Sequence, residues 1–163
     1  MKSKITKGLI AILLLPLLVS CNGKKAEPEA LVIDKEQVKN EIQAKENQFA
    51  ATYNAGELVN IGYYADDATS YAPNRAPIVG REAIIAYLKV DVETNTDKIS
   101  FTTREVFVSN DGNMVVETGS YQVVDSTGIA FNTGNYMVLF EKRDGKYYCV
   151  RDMSVSDMPI PFE

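Results

Sequence analysis

Asp66 and Asp67 stand among three tyrosines, Tyr63, Tyr64 and Tyr71, in a chain that contains no histidine. Carboxylates beside phenols can move protons without a cofactor: an acid takes or gives the proton, and a phenol hydrogen-bonds the oxygen on which charge develops. The spacing argues against these two acids acting together. Successive side chains of a strand point to opposite faces, so Asp66 and Asp67 enter one pocket only where the backbone is irregular. They read instead as a turn leading into a strand, one carboxylate bonded to nearby backbone and the other in solvent.

Other acids and phenols remain. Glu117 interrupts the strand-like run MVVETGSYQVV, in which Gly119 marks a bulge or the close approach of another group. Arg104 and Arg151 are candidate partners for Glu117, because a buried acid beside a cation keeps its charge. A buried acid without a cation has a raised pKa and can carry protons. Asp152 lies on the opposite strand face from Arg151, so at most one of them points inward. Tyr53, Tyr64 and Tyr121 are candidate pocket phenols, each needing a partner for its hydroxyl if buried.

Much chemistry is excluded. With no histidine and two cysteines, zinc, copper and non-haem iron lack their usual ligands, and no loop carries the alternating acids of a calcium site. No cofactor is implied, since there is neither a glycine-rich phosphate cradle nor a nucleophile elbow. Cys149 sits in an apolar run and reads as a buried structural thiol, with no histidine to activate it.

Residues 1–20 carry three lysines and no acid ahead of the apolar run 9–19, which is the form of a signal peptide. A spanning helix needs about 18 or more apolar residues, and this run is shorter and contains Pro16. Leu18-Val19-Ser20-Cys21 resembles the lipobox of bacterial lipoproteins, in which the cysteine is diacylated and becomes the N-terminus. Acyl chains on Cys21 would bury tens of methylenes at about 0.8 kcal/mol each, an effectively permanent anchor. Asn22 is not the aspartate that resembles an inner-membrane retention signal, which points to the outer membrane of the cell envelope. Without the leader's lysines, 14 basic side chains face 22 acidic ones, a net charge of about −8 that disfavours nucleic acid as a partner.

Residues 21–32 read as the lipidated cysteine and a polar tether, and residues 33–163 as one domain. Asp34 has the form of an N-cap, with Gln37 at the third helical position. Val38, Ile42, Phe49 and Tyr53 then recur at spacings of four, seven and four, one stripe of a helix that Gly56 ends in a left-handed cap. A short helix is expected over 57–63 and another over 80–88. Strands are expected over 99–109, 114–124, 129–142 and 146–156, separated by glycine-containing turns of which Asp144-Gly145 gives the strongest hairpin signal. Helices followed by an antiparallel meander make the α+β class.

With these elements in order, the chain resembles the nuclear transport factor 2-like superfamily, the cone fold that includes ketosteroid isomerase and SnoaL-like cyclases. The carrying residues are Asn54-Ala55-Gly56-Glu57, Tyr64-Ala65-Asp66-Asp67-Ala68-Thr69, Gly80-Arg81-Glu82 with Ile84, then Gly145-Lys146-Tyr147 and Arg151-Asp152-Met153. The resemblance implies a curved antiparallel sheet with a long N-terminal helix and two shorter ones on its concave side, enclosing a pocket. It also implies an outer sheet face able to pair two subunits.

Ketosteroid isomerase works with an aspartate base and an oxyanion hole of a tyrosine and a protonated aspartate. Set on that pattern, the oxyanion tyrosine falls on Phe49, the base on Ala72, and the protonated aspartate near Asn135 or Tyr136. The implied isomerase chemistry is therefore not carried over. The expectation is a lipid-anchored envelope domain whose pocket binds a small apolar or amphipathic ligand, or a protein partner, without catalysis. The alternative is a cofactor-free isomerase, lyase or cyclase using Glu117 or Asp152 with a tyrosine.

Overall fold

The structure, a computed structural model, describes residues 32–159. The leader, Cys21 and the tether as far as residue 31 lie outside the described residues. Helix α1 spans Lys35–Ala55, and Asp34 caps it by accepting a hydrogen bond from the amide of Gln37 at 3.0 Å. Gly56, at φ 74°, closes it in the left-handed conformation, with its amide hydrogen-bonded back to the last turn. The stripe Val38, Ile42, Phe49 is buried as its spacing requires, and Glu46 is buried with it.

A single 3₁₀ turn, Leu58–Asn60, stands where a short helix was expected, and strand β1 (Tyr64–Tyr71) follows. The two-residue β2 (Ile78–Val79) precedes helix α2, Arg81–Thr94, which runs two turns beyond the expected segment. Its last turns are held by tertiary contact rather than by a strong apolar pattern: Val92 packs on the glycine that ends α1. The meander is β3 (Lys98–Val108), β4 (Met114–Val124), β5 (Ala130–Arg143) and β6 (Lys146–Ser156). Asp144 and Gly145 both take positive φ between β5 and β6, as a tight two-residue hairpin demands.

The six strands form one curved sheet in the order β2-β1-β6-β5-β4-β3. Every neighbouring pair is antiparallel except β1 with β6, which run parallel and are connected through β2, α2 and β3 to β5. Ladder irregularities fall between Thr103 and Glu105, Val123 and Val124, and Leu139 and Phe140, and such bulges bend a sheet. The bend wraps the sheet around α1.

Two cross-strand pairs set the inner face at that bend. Gly119 pairs with Tyr136 and Tyr121 with Gly134, each ring lying flat over the glycine opposite. A Cβ on Gly119 would stand 2.3 Å from the Tyr136 ring carbon Cζ, and one on Gly134 would stand 2.5 Å from Tyr121 Cε1. The close approach that Gly119 signals is thus an aromatic ring laid across the strand.

Ile42, Ile84, Val115, Phe140, Tyr147 and Cys149 are almost wholly buried between α1, α2 and the sheet. Burying each of the large aliphatic or aromatic ones contributes about 1.5–3 kcal/mol. Cys149 is a free thiol at the floor of this core, its pKa pushed up by burial. Among the described residues no helix is long and apolar enough to cross a membrane, and no cluster of His, Cys, Asp or Glu could hold a metal ion.

Candidate functional site

Between α1, α2 and the bent sheet lies a cavity of about 330 Å³, opening past Tyr71, Pro73 and Met153. Its floor follows from strand register. Glu117, Val138, Asp152 and Ser70 sit side by side on four adjacent strands, β4, β5, β6 and β1, with their side chains on the inner face. Glu46 comes down onto that row from α1.

Three acid and phenol pairs converge there. Tyr63 donates to Oε1 of Glu46, and Tyr64 donates to Oδ2 of Asp152 at 3.0 Å. Tyr136 and Thr103 both donate to Oε1 of Glu117, at 2.7 and 2.6 Å. The ring of Tyr136 can reach Glu117 because Gly119, two residues on and on the same face, leaves it room. A fourth pair, Tyr53 donating to Asp91, ties α1 to α2 beside the cavity.

Burial dominates the electrostatics. Glu46 is 1% exposed and Glu117 fully buried, with no basic group bonded to either. Burial, and after it the charge of Glu117, push the pKa of Glu46 well up. Burial also raises that of Glu117, against the bonds it accepts from Thr103 and Tyr136, and a hydrogen bond between the two carboxyls adds to the rise at Glu46 and opposes it at Glu117. The larger upward push falls on Glu46, which makes it the member of the pair that keeps a proton, while Glu117, accepting from two hydroxyls, is the better placed to be the carboxylate. Oε2 of Glu117 is shielded from solvent and has no hydrogen-bond partner among the described residues. The pKa of Asp152 is also raised by burial, against the opposing pull of Ser70 and Tyr64. Its Oδ1 is shielded from solvent and accepts no hydrogen bond of full geometry among the described residues.

The sequence-derived candidates divide. Tyr53, Tyr64, Tyr121 and Asp152 line the cavity. Glu117 lies behind its wall, and its partners are Thr103, Tyr136 and Glu46 rather than Arg104 or Arg151, both of which are exposed. Asn135 does not face the pocket. Strand alternation turns it to the exposed side, where it donates toward Asp157 at 3.3 Å, and points its neighbour Tyr136 inward.

Asp66 and Asp67 are both exposed, because the β1–β6 register shifts between Tyr64 and Thr69 and both turn outward. The leading partner of each carboxylate is an arginine, and Asp67 is also held by its own backbone amide. Arg81 pairs with Asp66 at 2.7 Å, and Arg143 grips Asp67 with two bonds at 2.7 and 3.1 Å, holding its pKa down.

Phe49 and Ala72 do line the cavity, and neither bears a titratable group. Proton-bearing groups nonetheless stand around the hollow at other positions, in the acid and phenol pairs just described. Sequence reasoning misses Glu46 as a buried acid of the site and Tyr136 as the phenol bonded to Glu117. The signal for Glu46 was the seven-residue gap in the α1 stripe, whose middle it fills.

The family description "SnoaL-like domain" matches residues 47–150, from the second half of α1 to the middle of β6. The chain belongs to the SnoaL-like domain family. No curated protein matches it. Among solved structures, it resembles a putative calcium/calmodulin dependent protein kinase II association domain from Xanthomonas campestris, at 24% identity over 70% of this chain and 84% of that one, with TM-score 0.58. It also resembles an NTF-2 like protein of unknown function from Shewanella oneidensis, at 20% identity, 72% and 98% coverage and TM-score 0.61. A ketosteroid isomerase-like protein from Erwinia carotovora atroseptica matches at 17% identity, 74% and 96% coverage and TM-score 0.58. At such identities these likenesses establish the fold of the SnoaL-like domain and leave its activity to the site.

Proposed function

We propose that the cone binds a small apolar or amphipathic molecule. The observation that carries this reading is an aromatic-walled cavity of about 330 Å³ with a shielded, unpartnered oxygen of Asp152 in its wall. That volume lies within the range of small-molecule sites, and a few fixed polar groups in an apolar wall are what orient a ligand. The test is a thermal-shift screen of residues 22–163 against lipids, sterols, polyketides and saccharides. A ligand whose affinity falls about ten-fold on Asp152→Asn supports the reading. Silence across a broad library overturns it.

A second reading, a cofactor-free isomerase, lyase or cyclase, is favoured by the Asp152–Tyr64 pair at the cavity wall, with the Asp152 pKa raised. Asp152 would move the proton and Tyr64 would hold its carboxylate in place. On a substrate found by the screen, Asp152→Asn is then expected to lower turnover by about 10²–10⁴-fold. Turnover that survives the substitution ends this reading.

We also propose that Cys21 is lipidated and anchors the domain to the cell envelope, in the outer membrane. The leader pattern supports this. The wild-type chain should partition into the detergent phase on phase separation, and Cys21→Ala should move it to the aqueous phase. The outer sheet face, with Phe107, Met137 and Met153 each about half exposed, supports a homodimer through that face. A monomer by light scattering at high concentration would sink that proposal.

A further inference from the structure

The cavity is chemically one-sided. Seven of the chain's nine tyrosines line it, together with Phe49 and Phe101 and three acids, Glu46, Asp91 and Asp152. Among the described residues no lysine or arginine does.

Four of its seven tyrosine hydroxyls are engaged: Tyr53, Tyr63, Tyr64 and Tyr136 each direct their proton to a carboxyl oxygen. An entering molecule therefore meets ring faces, which carry the negative lobe of the aromatic quadrupole, and carboxylate oxygens. One of those oxygens, Oδ1 of Asp152, is shielded from solvent and accepts no hydrogen bond of full geometry among the described residues, with only the pull of Ser70 and the Tyr71 amide on its carboxyl besides Tyr64. The rim already holds a cation in this manner: the Arg75 guanidinium lies 4.3 Å from the centre of the Tyr87 ring.

Three classes of ligand can be weighed on these terms. An anion would enter among acids with no lining counter-charge and would be repelled. A neutral apolar molecule fills the volume but leaves the Asp152 oxygen unpaired in a still drier place, and an unmet buried acceptor is costly. An ammonium group meets both features at once: it pairs with the carboxylate and lies against the rings, a contact that strengthens when desolvated.

We infer that the ligand is an organic cation, an ammonium head seated between Asp152 and the tyrosine faces with an apolar body filling the rest of the cone. This rests on the pocket reading and names its ligand class.

The test compares two molecules of one shape, 2-phenylethylammonium and its uncharged carbon isostere propylbenzene, on residues 22–163. Tyrosine fluorescence reports binding, since the chain has no tryptophan and most of its tyrosines line the cavity. The cation is expected to bind at least about ten-fold more tightly than the isostere, and Asp152→Asn to shrink that preference to about three-fold or less. Equal affinity of the two for the wild-type chain overturns the cationic class and leaves the pocket reading standing. Binding of neither at millimolar concentration also overturns the cationic class, while the broad ligand library decides separately whether the cone is a pocket at all.

Discussion

Gly119→Ala is expected to cost the fold about 3 kcal/mol, the sum of a core overpacking penalty and a weakened hydrogen bond to a buried carboxylate. Gly119 has no positive φ, so an added methyl meets no backbone strain. It meets the Tyr136 ring, with Cζ and the hydroxyl both 2.3 Å away. The ring has to lift off β4, and in lifting it withdraws its hydroxyl from Glu117, 2.7 Å away. The sign makes the prediction sharp, because Gly→Ala at an unstrained, roomy position usually stabilises by about 0.4–1 kcal/mol through the unfolded chain.

Urea unfolding reads the loss as a lower midpoint. In a Tyr136→Leu background the same Gly119→Ala change should cost at least about 1 kcal/mol less, as expected for residues in contact. A midpoint for Gly119→Ala equal to or above wild type, or strict additivity with Tyr136→Leu, would mean that the ring does not lie over the glycine.

That ring marks the boundary of what is legible in the sequence. The caps and stripe of α1 and the four meander strands follow from local rules: Asp34 and Gly56 announce the helix ends, and Asp144-Gly145 fixes the β5–β6 hairpin. That Asp152 and Arg151 face opposite ways follows from alternation, while which of them turns inward does not. The site itself depends on cross-strand register and on the helix laid over the sheet, which are contacts distant in sequence.

Glu46 shows why this matters. A glutamate in an apolar stripe reads as a gap, and only Tyr63 and Glu117, brought against it by the tertiary fold, make it a proton-bearing group. Asn135 shows the same limit from the other side. Counting along β5 leaves a choice between it and Tyr136, and the pairing of Tyr136 with Gly119 decides which of them faces inward. Likewise Asp66 and Asp67 leave strict alternation because β1 slips against β6, a partner more than 80 residues away.

The placement of one proton between Glu46 and Glu117 leads to an asymmetry between two otherwise alike substitutions. Glutamine is a close copy of a protonated glutamate. At position 46 its oxygen accepts from Tyr63 and its amide donates to Glu117, so Glu46→Gln should leave stability near neutral pH unchanged or raised. At position 117 glutamine offers Thr103 and Tyr136 a neutral acceptor in place of a carboxylate, which roughly halves those two bonds. It also moves the negative charge to Glu46, where the only phenol is Tyr63. Glu117→Gln is therefore expected to cost about 2 kcal/mol.

The pH dependence has a definite sign. Burial raises the folded-state pKa of Glu46, so the folded chain binds that proton more tightly than the unfolded one. The resulting stability is fully present below the ordinary glutamate range and is lost as pH rises from there toward the raised value. Asp152 and Glu117, also raised by burial, pull the same way. Wild-type stability should therefore fall with rising pH above about 4.5. Glu46→Gln should fall less steeply, so that the two unfolding curves separate as pH increases. Parallel curves, or a larger loss for Glu46→Gln than for Glu117→Gln, would place the proton on the other carboxyl.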